Sequence, residues 1–515
     1  MSKRMTKRTR SLLYAVIALV AVVVLLAGLL LLLPEPTDEP EDGDTSVDES
    51  VVLLDKTADE KIMLSSAVIS LGGASHTISR TEDDLYTLKG YEDLPLDQTI
   101  LDSVADSLLN IKATRLVLEN PQNPTDFGFD KENSGVTVSA TYSDNSAFSF
   151  EIGDLTPSEE GYYLRQTGKT AVYLMDTSFC DGLAYEPTQY LNRSPIVAPT
   201  AEESTDTVVV RDVTLTGTVR PKTIFFQVTE KPENEEENMV ISGYAVQRPY
   251  FHAVDSNSPL ISYSTFTSLA ASGIAKLRPT AADLSTYGLS NPYSVCAVNL
   301  SLQRTTETEI KDGETKSEIS YHSTFHYTVK LGKTDKDGNY YGVVYQENTM
   351  IPLVYLFSPS AVSAWADAQY EDVADDMLYF QYVTNLDSVT ITDQGETKTF
   401  TLKHFPDEED SDNTLTVTAG GTTYSTPDFR TLYASLLSLY RAGETSEKPN
   451  GTPMLTLQFT PMKQHGSATR IDIYEYTAGY CIAVHNSGEK HLVAAKDVQS
   501  IQTDYRNFLA GKPLS

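Results

Sequence analysis

The sequence predicts an α+β protein: one N-terminal transmembrane helix followed by three repeated modules of antiparallel sheet plus amphipathic helix. Two observations predict it. A basic tail leads into an uncharged apolar run from Ser11 to Leu33, and one order of strands, helix, loop and hairpin can be traced three times through residues 51–515. Composition agrees, since 30 tyrosines against a single tryptophan, with frequent Thr, Val and Ser, suit half-exposed sheet.

The N-terminal element comes first. Residues 1–10 carry Lys3, Arg4, Lys7, Arg8 and Arg10. The apolar run 11–33 reaches about 34 Å as a helix, enough for a hydrocarbon core of about 30 Å. It is longer than a secretory h-region of about 7–15 residues, and Ala21, Ala27 and Gly28 lie inside it, not after it. The first cysteine is Cys180, so no acylated cysteine follows the run. The expectation is an uncleaved signal-anchor in the cell membrane, with a cytoplasmic basic tail and the bulk of the chain extracytoplasmic. Residues 34–50 are acidic and Pro-rich and read as an extended linker.

Modules are expected at 51–197, 198–382 and 383–515, the third degenerate. In the first, Ala67–Leu71 and His76–Arg80 flank the Gly72-Gly73 turn signal. A helix at about 97–111 follows, capped by Asp97, with Ile100, Leu101, Val104, Leu108 and Ile111 at helical spacing. The second helix is expected at about 264–277, with Phe266, Leu269, Ala270 and Ile274 on one face. The third is expected at about 426–441, with Thr426 as cap, Pro427 at the first helical position, and Phe429, Leu432, Leu436 and Tyr440 as the stripe. The cap positions are a domain's length apart, not a solenoid period.

A loop and a sheet come next. The first module has Asp126-Phe127-Gly128-Phe129-Asp130, then strands at 136–142 and 148–152 ending in Gly153-Asp154. The second has Tyr287-Gly288-Leu289-Ser290-Asn291-Pro292, then strands at 295–302 and 324–331 ending in Gly332-Lys333. Gly128 and Gly288 read as turn residues needing positive φ. The third has strands at 454–459 and 469–476. Closing hairpins lie at 163–174, 341–356 and 480–494, each followed by a short helix near Asp176, Ser358-Pro359 and Asp497.

This arrangement resembles the bacterial envelope family known as domain of unknown function family 4340. The carrying features are the helix, the Tyr287–Pro292 element, the Leu331–Lys333 strand end and the closing hairpin. In the first module Phe127-Gly128-Phe129-Asp130 replaces the family's Tyr-Gly-Leu-Asp. The resemblance covers most of residues 51–515 and implies a membrane-anchored, extracytoplasmic α+β protein. It also implies a gene neighbourhood containing ABC-type transport systems of the gliding-motility type. No catalytic residues come with it.

Charge narrows the partners. Thirty-nine Lys and Arg face 71 Asp and Glu, a net −32. Outside the basic tail the balance is more negative still. Such a field repels nucleic acid and supplies no counterion release, so none is expected as partner. Cys180, Cys296 and Cys481 are too few and too scattered for a disulfide framework.

No His-Glu-x-x-His, Gly-x-Ser-x-Gly, Walker loop or dinucleotide fingerprint occurs. The histidines fall at 76, 252, 322, 326, 404, 465, 485 and 491. His322 and His326 are expected on one face of a strand, about 13 Å apart, too far to share a metal. His485 and His491 are expected to face each other across the last hairpin without a third ligand near in sequence. Asp335-Lys336-Asp337-Gly338-Asn339 resembles half a calcium loop but has Gln346 at the twelfth place, so a hairpin turn fits better. The acidic tracts at Glu233–Glu237 and Asp407–Asp412 would hold divalent cations weakly at most. No catalytic, cofactor or metal residue is assigned.

The expected function is therefore that of a non-catalytic, membrane-anchored binding or accessory component. Its expected partners are the membrane, through residues 11–33, and an ABC-type transporter permease or other envelope proteins. The alternative is a wall-directed hydrolase using paired carboxylates. A two-lobed solute receptor is disfavoured, because βαβ alternation is absent.

Overall fold

A computed structural model describes residues 50–129, 135–229, 243–309, 315–405, 414–463 and 467–514. The expected transmembrane helix at 11–33, most of the acidic linker, both acidic tracts and His465 lie outside the described residues. Among the described residues, no helix is long and apolar enough to cross a membrane. Among these residues strand outweighs helix, 44% to 19%. For the described residues the α+β expectation is thus corrected to an architecture of antiparallel sheets with minor helices, and the transmembrane expectation at 11–33 lies outside them.

Three large sheets follow one another along the chain, beside a two-stranded pair of Val51–Asp55 with Asn110–Ala113. In the first sheet, Leu64–Leu71 pairs on one side with Ala74–Arg80, which carries Tyr86–Leu88 outward. On its other side come Val136–Tyr142, Ala147–Leu155, Tyr162–Gln166 and Val172–Met175, with Arg115–Leu118 at the far edge. The second sheet takes the same path. Asp206–Thr216 is flanked on one side by Ile224–Val228, Tyr244–Arg248 and His252–Ala253. On the other side lie Ser294–Glu309, Thr315–Thr334, Tyr340–Gln346 and Leu353–Phe357, with Gly273–Leu277 at the edge. The third sheet runs outward from Leu386–Asp393 in both directions, through Glu396–His404, Leu415–Ala419 and Thr422–Tyr424, and through Leu455–Pro461, Thr469–Glu475, Tyr480–His485 and Lys490–Ala494.

Period-two patterning explains the strands. In Val136–Tyr142 the residues Val136, Val138, Ala140 and Tyr142 are buried, while Thr137, Ser139 and Thr141 are exposed. Helices cover one face. Asp97 caps Gln98–Leu109 by accepting from the Thr99 amide at 3.0 Å, and Leu101, Val104, Ala105 and Leu108 are buried in the first core. Thr426–Leu437 and Ala495–Leu509 both bury apolar stripes in the third core.

The second expected helix is a correction. Only Ser264–Thr267 is helical there, and Gly273–Leu277 is a strand paired with Leu353–Phe357. Ser268, Ser272 and Gly273 weaken the helix, and pairing at the sheet edge overrides the apolar spacing. Thr426 does not cap the third helix. Ser425 does, and the Thr426 hydroxyl donates to the Leu415 carbonyl at 2.6 Å. The last helix starts at Ala495, so Asp497 lies in its first turn.

The two glycine loops form matching clasps. Gly128 and Gly288 have φ of 87° and 79°. Each loop lies against a glycine two residues before the end of the opposing strand. A Cβ built on Gly153 would sit 2.1 Å from the Phe127 carbonyl oxygen, and one on Gly332 would sit 2.1 Å from that of Tyr287. The Lys333 amide closes the second clasp on the Tyr287 carbonyl at 2.8 Å. The motif residues are therefore spacing devices that let loop and strand backbones touch.

Neighbouring regions are packed together. The second core incorporates Leu94, Leu191 and Ile196. Arg278 donates to the Asp93 carboxylate at 2.8 Å and to the Gly90 carbonyl at 2.7 Å. Between the second and third sheets, bridges Val254↔Ala374, Met377↔Tyr440 and Glu444↔His491 carry backbone pairing from the edge of one sheet to the edge of the other.

Candidate functional site

That bridging ladder gathers polar side chains distant in sequence. His252 comes from the edge strand of the second sheet and Tyr370 from the short helix Tyr370–Val373. Arg441 comes from the connecting segment. His485, Glu489 and His491 come from the last hairpin of the third sheet. Tyr370, Glu489 and His491 are buried.

Glu489 is the centre. Its Oε1 accepts from the Tyr370 hydroxyl at 2.8 Å and lies 3.2 Å from His491 Nε2. Burial works against the charged carboxylate. The His491 bond, the nearby His485 and the Tyr370 bond outweigh burial and hold its pKa below the usual value. Arg441 lies over the Tyr370 ring, 5.2 Å from its centroid, and donates to the Ala374 carbonyl at 2.6 Å and also to that of Asp375. His485 and His491 stand edge to face with centroids 6.1 Å apart. Burial, together with the Arg441 charge, pushes His252 down to about 4, and burial likewise takes His485 to about 4, so both are neutral imidazoles near pH 7.

Above this network opens a cleft of about 340 Å³ between the second and third sheets. Phe251, Met377, Tyr379 and Phe380 give it apolar walls, and His252 and His485 line it. Phe251 is 56% exposed, a large aromatic presented to solvent at the rim. Tyr379 is held flat against Phe459, centroids 4.0 Å apart, so that wall is rigid.

Of the residues singled out from sequence, His485 and His491 do meet across the hairpin. The third imidazole, His252, arrives from more than two hundred residues away and was missed. Glu489 was missed too, although it stands in the same hairpin. Among the described residues, no group of three or more His, Cys, Asp or Glu is arranged to hold a metal ion. His322 and His326 are a correction. The register shifts between Leu300 and Leu302, with Ser323 at φ 49°, so their even spacing no longer defines one face. His322 lies 3.6 Å from Asp206, and His326 Nδ1 lies 2.5 Å from Asn299. The Asp335 carboxylate accepts from the Asp337 and Asn339 amides at 2.9 and 2.8 Å, closing the turn on itself. Glu371 has a raised pKa, from burial and from a hydrogen-bonded carboxylate neighbour, Glu444.

No curated protein and no solved structure matches the chain. A family match begins in the third strand of the first sheet and ends at Pro292, so the Leu331–Lys333 strand end and the closing hairpins of the second and third sheets lie beyond it. At residues 87–292 the chain matches the model of the family described as Domain of unknown function (DUF4340), the family its motifs resemble.

Proposed function

We propose that the chain is a non-catalytic binding component of an ABC-type transport or cell-envelope complex, and that the cleft between the second and third sheets receives its ligand or a partner segment. The observation carrying this reading is the cleft itself: apolar aromatic walls over a buried polar network whose central carboxylate, Glu489, is already bonded by Tyr370, His491 and Ser487. Such a floor orients and recognises. Action at the outer face of a cell membrane rests on the sequence pattern of residues 3–33 alone.

The test is purification of the tagged full-length chain from its own membranes in mild detergent, with the co-purifying proteins identified by mass spectrometry. A permease or ATPase is expected with the wild type and lost with the cleft-rim variant Phe251→Asp. Absence of any transport or envelope protein overturns the reading, as does equal recovery with the variant.

A further inference from the structure

We propose that the histidine cluster at the bridging ladder is an acid-sensitive latch, which holds the second and third sheets together near neutral pH and releases them when the medium acidifies. Release would reshape the cleft, so its consequence for binding rests on the function proposed above. The latch itself is read without any ligand.

Three imidazoles, His252, His485 and His491, share this junction with the fixed cation Arg441. The groups facing them come from every packed element. The short helix and its continuation give Tyr370, Glu371, Asp375 and Asp376. The connecting segment gives Glu444, the hairpin gives Glu489 and Lys490, and the second sheet's first hairpin gives Lys222. Glu489 is the buried anion, and Tyr370 and His491 already share its Oε1. Lys222 lies 3.6 Å from Glu444, and Arg441 lies 3.8 Å from the well-exposed Asp376.

Protonation therefore adds cations faster than the junction can compensate them. His252 Nδ1 and His491 Nδ1 are buried without a hydrogen-bond partner. An imidazolium needs an acceptor at both nitrogens, and a buried unpaired N–H⁺ is costly. Glu371 works against release, because a carboxyl whose value is raised in the closed state favours that state as the medium acidifies, so the two histidines must outweigh it.

The sign follows from linkage. His252 and His485 have lowered values in the closed state, about 4, against an ordinary 6.5. The neutral rings favour the closed state fully above pH 6.5. That preference is lost as pH falls from 6.5 towards 4, roughly tenfold per pH unit for each histidine. At pH 5 each contributes a factor of roughly thirty, and the two together roughly a thousand.

Hydrogen exchange of the full chain in detergent, corrected for intrinsic rates, tests this at pH 7.5 and 5.0. The amides to follow are Asp375, bonded to the Ala253 carbonyl, and Arg441, bonded to that of Asp376. Their protection is expected to drop at least a hundredfold at pH 5.0, while amides of Asp206–Thr216 in the centre of the second sheet hold theirs. The double variant His252→Gln, His485→Gln is expected to exchange alike at both pH values. Unchanged junction protection in the wild type overturns the latch, and so does an equal acid loss in the double variant. If the variant does not fold at pH 7.5, the wild-type contrast between junction and sheet centre decides alone. None of these outcomes depends on a ligand, so the latch and the cleft's binding role stand or fall separately.

Discussion

The Tyr370 hydroxyl donates to Glu489 across the boundary between the second and third sheets, at 2.8 Å, with both side chains buried. It is a charge-assisted bond, and removing the donor leaves a buried carboxylate with one partner fewer. Tyr370→Phe should therefore lower stability by about 1.5–3 kcal/mol, read as a fall in urea midpoint at unchanged m-value. The pH sign is fixed by the Glu489 value, which lies below its ordinary 4.5 in the folded chain. Its contribution is complete above pH 4.5 and is lost as pH falls further. Between pH 7 and 6 the variant's deficit should be constant, and a deficit that vanishes there would remove Glu489 from the account.

The clasps predict a contrast between glycines. Gly153→Ala and Gly332→Ala force a Cβ to 2.1 Å from a carbonyl oxygen that belongs to the opposing loop backbone. Backbone cannot swing aside as a side chain can, so each should cost about 2–3 kcal/mol. Gly182 lies in the helix Thr177–Leu183, outside the positive-φ region and with nothing within 4 Å of its Cβ position. Gly182→Ala should be neutral or stabilising by up to about 1 kcal/mol. Equal melting temperatures for Gly332→Ala and Gly182→Ala would refute the clasp.

All three cysteines are free and buried. Burial pushes the thiols of Cys180 and Cys296 up to about 12 and raises that of Cys481. The thiolate is the reactive form, so the native chain should leave an aromatic disulfide reagent unconsumed at pH 8. Three equivalents should react once the chain is unfolded in guanidinium. A fast-reacting thiol in the native protein would contradict this packing.

Much of the sheet framework was legible in sequence, because alternation survives in single strands. Val136–Tyr142 can be read from its Val-Thr-Val-Ser-Ala-Thr-Tyr pattern alone, and its ends agree with the structure. The helix at Gln98–Leu109 was legible for a similar reason, since Asp97 and the apolar stripe are local signals. The stretch 264–277 misled because Phe266, Leu269 and Ile274 fit helical spacing while the sheet edge at Leu353–Phe357 was invisible. The His322–His326 parity failed because a bulge at Ser323 leaves no mark in composition. The candidate site was least legible. His485 and His491 lie in one hairpin, but His252 and Tyr370 join them only through three isolated bridges between distant segments.

Arg220 carries the last prediction. It is 7% exposed, yet its guanidinium meets carbonyl and hydroxyl oxygens on two sides. Nε donates to the Ala368 carbonyl at 2.7 Å, and Nη1 donates to the Thr216 carbonyl and the Ser294 hydroxyl at 2.8 Å each. Nη2 donates to the Ala366 carbonyl at 3.1 Å and also to that of Trp365. One planar fork thus ties the turn after Pro359–Val362 to the centre of the second sheet. Burial lowers the Arg220 pKa, but an arginine stays charged, so the fork is kept at every pH of interest. Arg220→Met would leave several buried carbonyls unpaired and should cost about 3 kcal/mol or more. Arg220→Lys should recover little, because an ammonium cannot span the same oxygens. Trp365 is the single tryptophan, buried beside this fork, so its fluorescence reports the second sheet directly. Both variants should shift the urea midpoint of Trp365 emission downward, and a midpoint unchanged in Arg220→Lys would show that charge, not geometry, holds this turn.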